Sequence, residues 1–311
     1  MAINRASIAK ELLPGLNAVF GLEYGDVDNE HAPLFDVENS DRAFEEEVLF
    51  TGFGTAPVKS EGAAVQYDDA QESYTARYTH DTISLAFSVT EEAMEDNLYD
   101  TFAKLRARGL ARAMANTKQV KAADVFNNGF SGSYLGGDGQ SLFSDSHPVI
   151  DGGVQDNDLD ATDLSEASLE SALITISKAQ DDRGILIGIR AESLHIPPDL
   201  AFTADQILNS ALSTTVTTQG TDGVTNVNDI NAIRNQGLVP GGFFVNHRFT
   251  DTNAWFLKTD APNGTKMFVR APLQTKMEPD FDTGNLRFKA RERYSFGWSD
   301  WRGFYGASGS S

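Results

Sequence analysis

Cysteine is absent from all 311 residues, which excludes disulfides and thiolate metal sites. Such a chain suits assembly in a reducing cytoplasm. Long apolar runs are missing too. Nowhere do roughly 18 apolar residues follow one another, so no membrane span is expected and the protein reads as soluble. The opening MAINRASIAKELLPGLNAVFGLEYGD has no signal-peptide pattern. Basic residues are scarce: 25 Lys plus Arg stand against 45 Asp plus Glu, a formal net charge of −20. A duplex-binding protein needs a dense basic footprint to release counterions, and this balance opposes one.

Catalytic signatures are also lacking. There is no G-x-S-x-G elbow and no H-E-x-x-H. His147 has Ser144, Asp145 and Ser146 beside it, but sequence neighbours do not make a triad, whose members must meet across space. The glycines of GGDGQS, 136–141, lack the lysine of a phosphate loop and the spacing of a dinucleotide site. The segment reads as a tight turn. Asp151, Asp156, Asp158 and Asp160 hint at a calcium loop. The pattern then fails, with Ala161 where glycine is needed and Ala167 where the bidentate glutamate belongs. Catalysis, cofactor and metal site are therefore all expected to be absent.

What is present is a mixture of helical and strand patterns. Residues 5–24 predict two short helical pieces broken at Pro14–Gly15, with Leu12, Leu13, Leu16, Val19, Phe20 and Leu22 as contacts. From Glu46 to Val89 the pattern is β. Tyr74, Ala76 and Tyr78 keep one phase and Ile83, Leu85, Phe87 and Val89 the other, so a bulge or a change of environment is expected at Thr79–Thr82. Glu91 to Phe126 predicts a long helix, opened by Ser88 with Glu91 or by Thr90. Its stripe runs Met94, Leu98, Phe102, Leu105, Ala113, Val120, Phe126, with a bend at Asn97 or Gly109. Arg106, Arg108, Arg112, Lys118 and Lys121 read as its solvated face. Asp163 with Glu166 opens a further helix to about Gln180, Leu194–Ile196 a buried strand, and Asp199 to Asn209 a short helix. Residues 211–228 read as a polar loop, followed by short strands at Phe243–Val245, Ala254–Leu257 and Met267–Val269. Strands and helices without a βαβ rhythm give an α+β class.

The last strand is the strongest signal. Leu286, Phe288, Ala290, Tyr294, Phe296 and Trp298 share one face, while Arg287, Lys289, Arg291 and Arg293 share the other, with Glu292 the one misplaced charge. The aromatic tail Trp298, Trp301, Phe304 and Tyr305 must pack on the body or on another subunit, because loose chain ends fray.

The run FDTGNLRFKARERYSFGWSDWRGFYG, 281–306, resembles the C-terminal signature of tailed-phage major capsid proteins of the Mu-like major head subunit family. NNGFSGSYLGGDGQSLFSDSHP at 127–148, LLPGLNAVFGLEY near the start, HIPPDLAFTADQILNS at 195–210 and DTNAWFLKTD at 251–260 keep the same order. The resemblance implies the fold shared by tailed phages and herpesviruses. Its expected parts are an N-terminal arm (1–45), an E-loop hairpin (46–89) and a peripheral domain with a long spine helix (90–150). An axial domain (151–280) follows, then a C-terminal strand returning to the peripheral domain (281–311). It implies a head protein that self-assembles into pentamers and hexamers, closing an icosahedral shell around double-stranded DNA without reading its sequence. The acidic balance then suits a wall that does not stick to packed nucleic acid. Separate scaffold, portal and decoration proteins are implied as partners, since the short arm leaves no obvious room for a cleaved scaffolding segment. The expected place is the virion, after assembly in host cytoplasm. Expected contacts between subunits are Lys59, Tyr74, Tyr78, Arg287, Lys289, Arg291, Arg293, Trp298 and Trp301, the basic edge Arg287, Lys289, Arg291 and Arg293 meeting carboxylates of a neighbour or of its own spine helix, or else facing packaged DNA or a scaffold protein. A non-viral compartment shell of the same fold, or a soluble hydrolase or binding protein, are the alternatives.

Overall fold

Alternation along 286–298 becomes strand β13 (Leu286–Trp298) because its apolar phase has something to lie on. The computed structural model describes residues 5–62, 64–90, 92, 99–150, 152–212, 217–219, 224–226, 230–280 and 282–310. The predicted stripe residues Met94 and Leu98, the cap residue Glu91, the bend residue Asn97, and Asp151 lie outside them.

In chain order the elements begin with α1 (Arg5–Gly25), β1 (Asp36–Asn39), β2 (Phe44–Phe50), β3 (Glu72–Thr79), β4 (Asp81–Val89), α2 (Tyr99–Asn127), β5 (His147–Pro148) and β6 (Val154–Gln155). There follow α3 (Glu166–Ser177), β7 (Ala191–Ile196), α4 (Ala201–Asn209), β8 (Thr217–Gln219), β9 (Val224–Asn226) and α5 (Ala232–Gln236). The chain closes with β10 (Phe243–Val245), β11 (Trp255–Thr259), β12 (Thr265–Pro279), β13 and β14 (Phe304–Ala307). Two four-stranded sheets organise them, one in the order β1-β12-β13-β4 and the other β10-β7-β11-β14. β2 and β3 form a separate hairpin. The change expected at Thr79–Thr82 is a change of sheet, since β3 pairs with β2 and β4 with β13.

The 29-residue helix α2 spans about 43 Å at ~1.5 Å per residue. It runs unbroken through Gly109. Its buried face differs from the predicted stripe. Leu105 and Val120 point outward, while Ala103, Ala107, Leu110, Ala111, Met114, Ala115, Ala122, Ala123 and Phe126 are buried at spacings of three and four. Alanine lets α1 and the first sheet approach closely, so small side chains chose the face. Helix α1 is also continuous across Pro14–Gly15, a correction to the two pieces expected. A proline weakens a free helix, but this one is laid along α2, with Leu16 and Phe20 buried against Phe288 and Ala290 of β13. Leu22, expected inside, is exposed.

A second core gathers five phenylalanine rings around Phe126. Phe35, Phe143, Phe249, Phe256 and Phe304 have centroids 5.8, 6.3, 5.9, 5.3 and 4.8 Å from it. Offset and edge contacts of this kind add to the area that each ring buries. A third core packs α3 and α4 on the second sheet, with Leu169, Ile176, Leu194, Ile207, Trp255 and Tyr305 inside. Helix α3 is capped by Ser165 in a reciprocal pair with Ser168, not by Asp163 and Glu166. Asp163 instead accepts from the backbone and hydroxyl of Ser310. Ser88, offered above as a cap, is strand residue in β4. Within 211–228 the chain makes the short hairpin β8–β9 where a loop was expected.

Candidate functional site

The aromatic tail is packed on the chain's own body. Trp301, Phe304 and Tyr305 are buried, and β14 completes the second sheet against β11. Trp301 stacks on His147 with ring centroids 4.3 Å apart and planes 5° from parallel. His147 is fully enclosed. Its Nδ1 lies 2.5 Å from Asp138 Oδ2 and its Nε2 3.0 Å from Asn157 Oδ1. The Asn157 amide nitrogen donates to the carbonyls of Leu142, Trp301 and Phe304 at 2.8, 3.1 and 2.9 Å. That fixes Oδ1 as the acceptor, so Nε2 carries hydrogen. Ser144 and Ser146 hydroxyls lie 3.3 Å from each other and bond neither ring nitrogen. The arrangement is a clamp tying the 136–148 turn to the C-terminal run. It has no poised nucleophile.

Arg302 makes a second clamp that the sequence reading missed. Its buried guanidinium reaches Asp182 at 2.6 Å, Gln155 Oε1 at 2.8 Å and the Gln180 carbonyl at 3.0 Å. One residue on, Arg183 holds Asp68 in the 51–71 loop at 2.7 Å. Burial pushes the carboxyl of Asp300, beside Arg302, above the usual range. Nothing in composition marks Arg302 as interior, because burial of an arginine depends on acids brought from distant positions.

The basic column is displayed as the alternation required. Arg287, Lys289 and Arg291 are exposed, and Arg293 is half-buried with its Nε lacking a partner. Arg287 pairs with Asp280 at 2.5 Å. Arg291 makes no ion pair among the described residues. On the flanking strand β4, the same face offers Thr82, Ser84, Ala86 and Ser88, all small and exposed. Helix α2 lies on the opposite face, against Phe288 and Ala290, which overturns the expectation that the column meets its own spine helix. The helix cations have other partners: Arg112 and Lys121 meet Glu23 at 2.5 Å and Asp81 at 2.7 Å, and Lys118 meets Glu292 at 2.7 Å.

The other expected contacts divide. Lys59 is exposed in the loop between β2 and β3. Tyr78 is interior, 4.7 Å from the Phe268 ring and 2.5 Å from the Ser299 hydroxyl, and Trp301 is interior as described. Both are buried within their own chain. Tyr74 turns its hydroxyl inward, where burial and then Asp300 and Asp138 raise its pKa. Trp298, half-buried, lines a groove of about 590 Å³ between β3, the C-terminal part of α2 and the 134–137 turn. Among the described residues no group of side chains is arranged to hold a metal ion. No helix among them is long and apolar enough to cross a membrane.

A family model for a phage capsid protein matches residues 73–307, from the return strand of the hairpin to the end of β14. The chain belongs to the phage capsid protein family. It is a capsid protein, a structural subunit of a phage head. Solved structures share the fold at low identity. The capsid of an empty GTA particle is 13% identical with a TM-score of 0.53, over 92% of this chain and 91% of that one. A virus-like particle from Pyrococcus furiosus is 10% identical with a TM-score of 0.52, over 94% and 98%. The procapsid of bacteriophage JBD30 is 14% identical with a TM-score of 0.51, over 98% and 76%. No curated protein matches the sequence. The capsid subunit therefore has the tailed-phage α+β fold, with α2 as its long helix and the β2–β3 hairpin packed against β12 through Tyr78 and Phe268.

Proposed function

We propose that copies of this chain form pentamers and hexamers that close around double-stranded DNA, as the major head subunit of a Mu-like tailed phage. The family match over residues 73–307 carries the reading. The geometry supports it in three ways. Buried polar clamps at His147 and Arg302 stiffen the body without presenting a reactive group. The 51–71 loop exposes Val58 and Tyr67 almost fully, surface that suits a neighbour better than water. The charge of −20 keeps the wall from adhering to its cargo.

In this reading the arm is residues 1–45, the E-loop 46–89, the peripheral domain 90–150 and the axial domain 151–280. Residues 281–311 form a C-terminal strand returning to the peripheral domain. Lys59 and the exposed column Arg287, Lys289 and Arg291 face neighbouring copies. Many weak contacts of this kind give avidity when linked in a closed shell. A separate scaffold, a portal and decoration proteins complete the particle, which assembles in the host cytoplasm and needs no catalysis.

The test is negative-stain electron microscopy with light scattering, on the chain alone and with its scaffold. Closed shells, or rings of five and six, support the reading. A monomer that persists with scaffold supplied overturns it. A second reading, a compartment shell with other cargo, rests on the fold shared with the virus-like particle from Pyrococcus furiosus. Nucleic acid inside purified particles excludes it.

A further inference from the structure

The sheet β1-β12-β13-β4 has two outer edges of opposite character. On one side, β1 covers only Lys266 to Val269 of β12. Past that point β12 carries Pro272, Lys276 and Pro279, and its register against β13 shifts between Val269 and Ala271 and again between Ala271 and Gln274. Proline, lysine and irregular register are the devices that stop an edge from taking up another strand. β4, on the other side, has none of them. It pairs with β13 from Asp81 to Val89 without a shift, and its outer edge has no partner among the described residues. From Thr82 to Thr90 it has neither charge nor proline. In a chain of net charge −20, an uncharged strand edge is a surface where two copies meet without repulsion.

The side chains of β4 are also self-complementary about Leu85, which is 48% exposed. Antiparallel pairing of two β4 strands centred there sets Leu85 opposite its counterpart, Ile83 opposite Phe87, Thr82 opposite Ser88 and Ser84 opposite Ala86. Apolar meets apolar on the helix-covered face, and small meets small on the other. We propose that β4 is a self-docking edge: two copies join β4 to β4 across a two-fold axis at Leu85, making one continuous sheet. Main-chain hydrogen bonds supply the affinity and the symmetry closes the contact. The two basic columns then lie three strands apart, about 14 Å at ~4.8 Å per strand, beyond the ~8 Å reach of unscreened charge in physiological salt. This pairing is argued from the sheet alone and does not depend on the capsid reading.

Because the chain has no cysteine, single introduced thiols report cleanly. Under mild oxidation of the full-length protein, Leu85→Cys is expected to form disulfide dimers at least ten times faster than Val58→Cys in the exposed loop. Asp81→Cys alone should stay monomeric on a non-reducing gel, while Asp81→Cys with Val89→Cys links. Ser84→Lys should weaken dimerisation in light scattering and leave the melting curve unchanged. Equal rates at positions 85 and 58, or efficient linkage of Asp81→Cys alone, would overturn the two-fold register. Microscopy of the same samples separates the two ideas. Shells without Leu85→Cys linkage sink the edge pairing only, and linkage without shells under any assembly condition sinks only the capsid reading.

Discussion

Lys118 of α2 holds Glu292 of β13 at 2.7 Å, with the lysine side chain 16% exposed and the glutamate 2%. Tyr24 at the end of α1 donates its hydroxyl to the same carboxylate oxygen at 3.1 Å. One acid on an otherwise apolar strand face thus joins three elements that are far apart in sequence.

Removing one partner of this pair leaves a buried charge. Lys118→Met should cost about 3–5 kcal/mol in urea unfolding, and Lys118→Met with Glu292→Leu much less, since a buried pair is often replaceable as a unit by apolar groups. Equal losses in the single and double variants would show that the pair is not coupled.

Lowering the pH should destabilise the subunit through its histidines. Burial holds His195 down to about 3, and burial also lowers His31 and His80. Between the unfolded value near 6.5 and the folded one, the unfolded chain binds protons that the fold refuses, so stability falls as pH falls. Asp158 and Asp300, raised by burial, act in the opposite sense through the carboxylate range. Calorimetry should give a lower Tm at pH 5 than at pH 7, with a smaller difference in His195→Gln. A Tm that is flat from pH 7 to 5 would contradict the assignment.

The buried face of α2 is tested by size. Ala107→Leu or Ala111→Leu should overpack the contact with α1 and the sheet and cost about 1–3 kcal/mol. Leu105→Ala, on the outward face, should stay within about 0.5 kcal/mol. The reverse ranking would restore the stripe predicted from the large apolar residues.

Arg291→Glu should leave the melting curve within about 0.5 kcal/mol of the parent, as expected for an exposed side chain with no ion pair among the described residues, while lowering particle yield at least several-fold. Unchanged yield would remove the basic column from the assembly contacts.

The strand pattern was legible because alternation is a local property. The two faces of β13 and the switch between β3 and β4 can be read from period two alone. The helices were less legible where alanine decided the matter: Ala103, Ala107 and Ala111 gave no signal beside Leu105, yet close approach of α1 selects them. Pro14 misled because packing along α2 outweighs a local break. The clamps at Asn157 and Arg302 were invisible, since each gathers partners from segments up to 147 residues apart. Glu292 was the exception, marked by being the only charge out of phase.

Strand β13 is central to the first sheet, and β14, which begins six residues after β13 ends, finishes the second. Neither half can close while the ribosome still holds these residues. Synthesis order therefore becomes a quality check: a chain cut short before 286–307 lacks the centre of one sheet and the edge of the other. Such a fragment has no finished surface to offer a growing shell, so incomplete translation products exclude themselves.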